Sequence, residues 1–321
     1  MSNDRFYSAI VLGVWVATQS VRAQPDFGHG PDTRVHDPST IVRCGADFWC
    51  FFTGNGVRST HSTNLLDWQS GPPVFTNIPD WTREAAPGQR GHFWAPDIMR
   101  LGDRHLLYYS VSSWGKNTSA IGLATNATLD PQDTAYRWGD AGVIIRSGAT
   151  NDFNAIDPAV TLDADGRLWL AFGSFWSGIK LVELDPVTGL RIAPGSPLYS
   201  IAFHESIEAP YLHHHANHYF LFVNWGMCCR GTNSTYEIRV GRSARITGPY
   251  RDRDGNDLLN GGGTLLLGSR GREVGPGHAG ILTLGKSDWL TFHYYDRDRS
   301  GRPALGRRRL HWDPEGWPRV E

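Results

Sequence analysis

One pattern occurs five times along the chain. Each of five segments opens with a polar or acidic residue beside a proline or glycine. Each then runs through a short strand, a tight turn, an aromatic strand and a third strand. The openings are His36-Asp37-Pro38, Trp94-Ala95-Pro96-Asp97, Ile156-Asp157-Pro158, Glu208-Ala209-Pro210 and Gly277-His278-Ala279. The residues Asp37, Asp97, Asp157, Glu208 and His278 lie 60, 60, 51 and 70 positions apart. A unit of that length holds four strands of about five to six residues with their loops. Strand-rich units at a regular period build a β-propeller. The chain is therefore expected to be all-β: five four-stranded antiparallel blades around a central axis, with few helices.

Composition agrees with a folded domain. Hydrophobic residues are 40% of the chain, enough for a sizeable core. Lysine plus arginine is 31 against 32 acidic residues, so charge gives no reason to expect nucleic acid as a partner. Residues 1–23 read as a secretory signal peptide: Arg5, an apolar run from Ala9 to Ala17, and the small residue Ala23 at the cleavage position. That run is too short to span a bilayer comfortably. The expectation is a propeller over 24–321, soluble and monomeric, extracellular or periplasmic, with no membrane partner. An oxidising compartment suits the four cysteines. Cys44 and Cys50 flank a tight turn and could bridge a hairpin, whereas Cys228 and Cys229 are adjacent, open between a vicinal bridge and two free or separately paired thiols.

The innermost strand of each propeller blade lines the axis, so its first residue faces its counterparts at one mouth. The repeat thus draws Asp37, Asp157, Glu208 and His278 toward a common point. Asp97 follows its proline instead of preceding it and is expected to point elsewhere. One Asp-Pro pair alone would read as a turn cap; acidic or imidazole groups in all five units read as a site. Several carboxylates around a pocket suit glycosidic hydrolysis, which needs one protonated group and one ionised group. A third would supply like charge that raises the acid's pKa, or would orient it. Sugar rings stack on tryptophan, so Trp94 and Trp176 are candidate substrate contacts. Ser174, in the loop 173–178, and His36 join them.

These motifs, in this order, resemble glycoside hydrolase family 43, in particular its arabinanase group. The resemblance rests on Val35-His36-Asp37-Pro38, Trp94-Ala95-Pro96-Asp97-Ile98, Ala155-Ile156-Asp157-Pro158 and Ile207-Glu208-Ala209-Pro210. It extends through Cys228-Cys229-Arg230-Gly231, Val240-Gly241-Arg242-Ser243, Ile246-Thr247-Gly248-Pro249-Tyr250, Gly261-Gly262-Gly263-Thr264 and Gly275-Pro276-Gly277-His278. It implies a five-bladed propeller that cleaves α-1,5-L-arabinan, a pectin side chain, with inversion. Asp37 would be the general base, Glu208 the general acid, and Asp157 the group that tunes and orients the acid. His278 would help hold a metal at the axis, usually calcium, largely through water; no organic cofactor is implied. Many arabinanases carry Phe-Asp where this chain has Trp225-Gly226, a change expected near the cleft that leaves endo against exo action open.

A transferase or fructan hydrolase on a five-bladed propeller is argued against by Cys228-Cys229 and Gly275-Pro276-Gly277-His278, and two rivals stand beside the internal-cleavage reading. One is an exo-acting arabinanase, arabinofuranosidase or xylosidase of the same family. The other is a sugar-binding propeller without catalysis, which would lack one of the three acids. Three further features are read as surface: His213-His214-His215 with His218 as an exposed turn, Asp252–Asp257 as a turn lacking the full calcium-loop pattern, and Arg307-Arg308-Arg309 as a solvated strand end. Asn117, Asn126 and Asn233 begin N-x-S/T sequons.

Overall fold

The computed structural model describes residues 34–321 together with Met1. The expected leader, residues 1–23, therefore falls outside the described residues but for Met1. The rest forms five antiparallel sheets. Blade 1 comprises Val42–Cys44, Asp47–Phe52, Arg58–Ser62 and Gln69–Ser70. Blade 2 comprises His92–Leu101, Arg104–Val111, Ser119–Asn126 and Gly139–Ser147, with Gly54–Asn55 added at the inner edge. Blade 3 comprises Ala159–Leu162, Leu168–Phe172, Ile179–Leu184 and Tyr199–Ala202. Blade 4 comprises Glu208–His215, His218–Trp225, Glu237–Ser243 and Thr264–Leu267. Blade 5 comprises Glu273–Leu284, Ser287–Asp296, Arg302–Trp312 and Pro318–Val320. The one α-helix among the described residues is short, Trp81–Ala85.

Side chains alternate across each strand, so both faces of a blade find apolar partners in its neighbours. Trp49, Phe51, Phe93 and Tyr109 are buried between blades 1 and 2. Tyr108, Leu168 and Phe172 fill the space between blades 2 and 3. Trp169, Phe220, Phe222 and Phe292 belong to a continuous core across blades 3 to 5. Each such side chain contributes about 1.5–3 kcal/mol by leaving water. Blades 5 and 1 close the ring without exchanging a strand; Ile41, Cys50, Leu282 and Trp289 pack there instead. No helix among the described residues is long and apolar enough to cross a membrane.

The inner strands share a backbone device. Asp37, Ala95, Asp157, Ala209 and His278 all have positive φ, between 42° and 60°. For non-glycine residues this costs about 1–2 kcal/mol each. These five are the equivalent positions of the blades. Glu208 therefore precedes its equivalent position by one residue, and Asp97 follows its own by two.

Several surface readings change. Arg307 is buried and Arg308 pairs with the Glu273 carboxylate at 2.6 Å, because Arg302–Trp312 is the third strand of blade 5, paired along its length with the second, and not a solvated end. His214 is exposed, but His213, His215 and His218 are half-buried, and the Trp312 ring covers His213 and His215. Asp252 is buried and its carboxylate accepts backbone N–H groups of Asp254, Asn256 and Gly263, which closes the turn. Asn126 is buried, whereas Asn233 is exposed. Cys44 and Cys50 are not bridged; Cys228 and Cys229 form a vicinal disulfide.

Candidate active site

A cavity of about 1440 Å³ opens at the mouth where the inner strands begin. Asp37, Asp157 and Glu208 all line it, together with His36, Trp94, Ser174 and Trp176. Asp97 does not. It is buried, and its carboxylate accepts the N–H of Thr40 at 2.9 Å and of Val160 at 2.9 Å, joining blades 1, 2 and 3. His278 lies beside Asp37, its Nδ1 3.6 Å from Oδ1, but is not part of the cavity wall.

A ring of hydrogen bonds between blades holds the mouth. In each case the backbone N–H of a positive-φ residue is accepted by a side chain of the preceding blade. Thr53 Oγ1 accepts from Ala95 at 2.9 Å, and Ser110 Oγ from Asp157 at 2.9 Å. Asn224 Oδ1 accepts from His278 at 2.8 Å, and His293 Nδ1 from Asp37 at 3.1 Å. Blade 3 has Gly173 at the corresponding place. A Cβ there would lie 2.5 Å from the Gly178 carbonyl oxygen, so no side chain fits. The Asp157 carboxylate fills the gap: its Oδ2 accepts the Ala209 N–H at 3.2 Å. Asp157 is thereby tied on both sides, its own N–H to blade 2 and its carboxylate to the residue after Glu208.

None of Thr53, Ser110, Asn224, His293 or Tyr295 was singled out in the sequence. A signal exists for the first four: each lies at or near the end of its blade's hydrophobic second strand, fifteen or sixteen residues after the positive-φ position.

The carboxylates have opposite electrostatics. Burial alone would raise Asp37, but the charge and hydrogen bond of His36 outweigh it, with His278 and His293 adding, and Asp37 falls well below the usual carboxylate range. His36 Nδ1 sits 2.8 Å from Asp37 Oδ2, and Thr53 Oγ1 donates to that same oxygen at 2.6 Å. Oδ1 has no such donor and faces the rings of His278 and His293, each at 3.6 Å. His36 is itself fixed: its Nε2 meets the Tyr295 hydroxyl at 2.7 Å, and that hydroxyl accepts the Cys229 N–H at 2.7 Å.

Glu208 is pushed up to about 7, chiefly by burial, with the Asp37 charge adding and the Ser174 hydrogen bond opposing. Ser174 Oγ donates to Glu208 Oε2 at 2.6 Å, which leaves Oε1 to carry a proton. Burial also raises Asp157 well above its usual value, reinforced by the negative charges of Glu208 and Asp37. The Asp157 and Glu208 carboxyls therefore hold their protons to higher pH than free carboxyls do, while Asp37 gives up its proton at lower pH.

Aromatic groups complete the walls. Trp94 is half-buried and meets the exposed Trp114 edge-on at 6.3 Å. Trp176 is exposed on the 173–178 loop, where it and Phe175 both have positive φ. Trp225 does not reach the cavity: it stacks on His204 at 3.9 Å, and the Arg239 guanidinium lies 4.2 Å over its ring. Gly226 leaves no room for a side chain, since a Cβ would come within 2.4 Å of the Thr235 carbonyl oxygen. Met227, Cys228 and Cys229 are the residues of this segment that line the wall.

Comparison with known proteins gives a consistent result. Residues 32–318 match the model of Glycosyl hydrolases family 43. The chain is 42% identical over 302 residues to an extracellular exo-α-(1→5)-L-arabinofuranosidase of Cellvibrio japonicus, covering 89% of this chain and 86% of that protein. It is 40% identical over 321 residues to an extracellular endo-α-(1→5)-L-arabinanase of Bacillus subtilis, covering 98% and 96%. Among solved structures, the Cellvibrio cellulosa α-L-arabinanase complexed with arabinohexaose superposes with a TM-score of 0.86 at 40% identity, covering 90% of this chain and 96% of that one.

Proposed function

This chain belongs to glycosyl hydrolase family 43, and we propose that it is a secreted arabinanase cleaving α-1,5-L-arabinofuranosidic bonds within linear arabinan by single displacement. The observation that carries the reading is the split between the carboxylates: an ionised Asp37 across one cavity from a Glu208 raised to about 7. Inverting hydrolysis requires a general base on one side of the scissile bond and a general acid on the other.

In this mechanism Asp37 Oδ2 is occupied by His36 and Thr53, so Oδ1 takes the proton of the attacking water. Glu208, held through Oε2 by Ser174, protonates the leaving oxygen from Oε1. Asp157 accepts the Ala209 N–H and so sets the acid's position, and its own carboxyl is raised by burial and by the charge of Glu208. Trp94 and Trp176 stack on sugar rings.

The His278 site is proposed to hold a calcium ion. His278 Nδ1 and the Asp37 carboxylate face one another at 3.6 Å, and His293, whose Nδ1 accepts the Asp37 N–H, has its proton on the buried, unpartnered Nε2, placed to donate to a water of the ion's shell. An imidazole-rich set offers a hard cation few oxygens, so the ion would take most of its six to eight ligands from water. Bound there, it would add positive charge beneath the site and favour the ionised base.

Internal cleavage is supported by size: the cavity exceeds the roughly 300–1,000 Å³ of a typical small-molecule pocket. Terminal cleavage is the second reading, favoured by the likeness to the exo-acting Cellvibrio japonicus enzyme. Early time points on linear arabinan separate them. A ladder of mixed oligosaccharides supports internal cleavage, and one small product from the start assigns terminal cleavage. Export is supported by the extracellular names of both relatives.

A further inference from the structure

We propose that His213, His215 and Asp288 form a second cation site, selective for a borderline divalent metal such as zinc, that ties blade 4 to blade 5. His213 and His215 lie two residues apart on the inner strand of blade 4, so their side chains leave the same face. Asp288 comes from the neighbouring second strand of blade 5. One nitrogen of each imidazole and one carboxylate oxygen lie within 4.8 Å of one another. Small side-chain rotations bring three such atoms to the bond lengths of about 2.0–2.2 Å that zinc takes with nitrogen and oxygen. Two imidazoles and a carboxylate suit zinc and its neighbours, not calcium, and leave a fourth position for water.

The surroundings are those of a supported site. Trp312 Nε1 donates to Asp288 Oδ2 at 2.8 Å and Thr283 Oγ1 donates to Oδ1 at 2.7 Å, which fixes the carboxylate while leaving lone pairs on both oxygens. The Trp312 ring lies parallel to both imidazoles, 3.7 Å from His215 at 7° and 5.8 Å from His213 at 13°. The inner strand of blade 4 starts with Glu208 at the cavity and ends with His215. At about 3.3 Å per residue, the cation site is therefore a strand's length from the proposed chemistry, and no step proposed for hydrolysis uses it.

The test is calorimetric titration of zinc chloride into the full chain after chelator treatment, for the parent, His215→Gln, Asp288→Asn and His278→Gln. Asp288→Asn keeps an oxygen to accept from Trp312, so it guards against a fold defect in the histidine variant. The parent is expected to bind zinc. One equivalent should be lost, or weakened at least tenfold, in both His215→Gln and Asp288→Asn but kept in His278→Gln. Cobalt added to the parent should give visible absorption bands that both variants lack. Zinc isotherms of His215→Gln and Asp288→Asn that superpose on the parent's would overturn the proposal.

Discussion

Glu208→Gln should lower activity sharply and stabilise the protein, and the second effect depends on pH. In the folded chain burial raises this carboxyl from 4.5 to about 7. A group raised in the folded state contributes its full share of stability below its unfolded pKa and loses it as pH rises through the folded pKa. Between 4.5 and about 7 the loss amounts to about 3 kcal/mol, at 1.36 kcal/mol per pKa unit. Glutamine keeps an oxygen for the Ser174 hydroxyl and has no charge to bury. Its advantage should thus be nil at pH 4 and approach about 3 kcal/mol at pH 8, a rise of several degrees in melting temperature. Turnover on arabinan should fall by about 10²–10⁴-fold, the range for loss of a general acid. Thermal melts of both proteins across pH, beside rates at the parent's optimum, measure the two effects. A stability difference that does not change with pH would refute the buried, proton-holding carboxyl. Near-normal turnover would remove Glu208 as the acid.

Ser174→Ala removes the hydrogen bond that opposes the rise of Glu208. At about 1.5–3 kcal/mol for a bond to a charged group, the alkaline limb of the pH–rate profile should move up by about one to two units; an unmoved limb contradicts the pairing. Ser110→Ala leaves the buried Asp157 N–H without its acceptor and should lower unfolding free energy by about 1–3 kcal/mol, with a fall in kcat larger than any change in KM. Trp176→Ala should raise KM several-fold and spare kcat if its ring only stacks on substrate; a kcat-only effect would place it elsewhere. Chelator treatment should lower the melting temperature, and added calcium should restore it in the parent but not in His278→Gln if that residue holds the ion.

The architecture was legible because a propeller repeats its instructions. A period near sixty residues, a hairpin turn and an aromatic strand recur whatever the blade's role, so blade number followed without any contact being known. The alignment of blade openings was less exact. Matching by charge set Asp97 and Glu208 beside Asp37 and Asp157, whereas the shared property is a positive-φ backbone at Asp37, Ala95, Asp157, Ala209 and His278. Charge is visible in a sequence and a dihedral is not, so Ala95 and Ala209 went unmarked. The interblade ring was hidden for a related reason. Ser110 and Asn224 look like ordinary polar residues ending a strand, and their partners lie 47 and 54 positions away. His213 and His215 seemed exposed because their cover, Trp312, comes from another blade. Arg307 looked solvated because local alternation says nothing about what lies over a strand.

The proposed one-step hydrolysis of arabinan by an ionised Asp37 and a protonated Glu208 leaves a stereochemical signature. The most direct measurement is the anomeric configuration of the first product released from linear α-1,5-arabinan, followed by proton NMR before mutarotation. Single displacement predicts release of the inverted, β-configured sugar. Release of the α anomer would contradict single displacement, and no release from folded, active-site-intact protein would contradict the substrate.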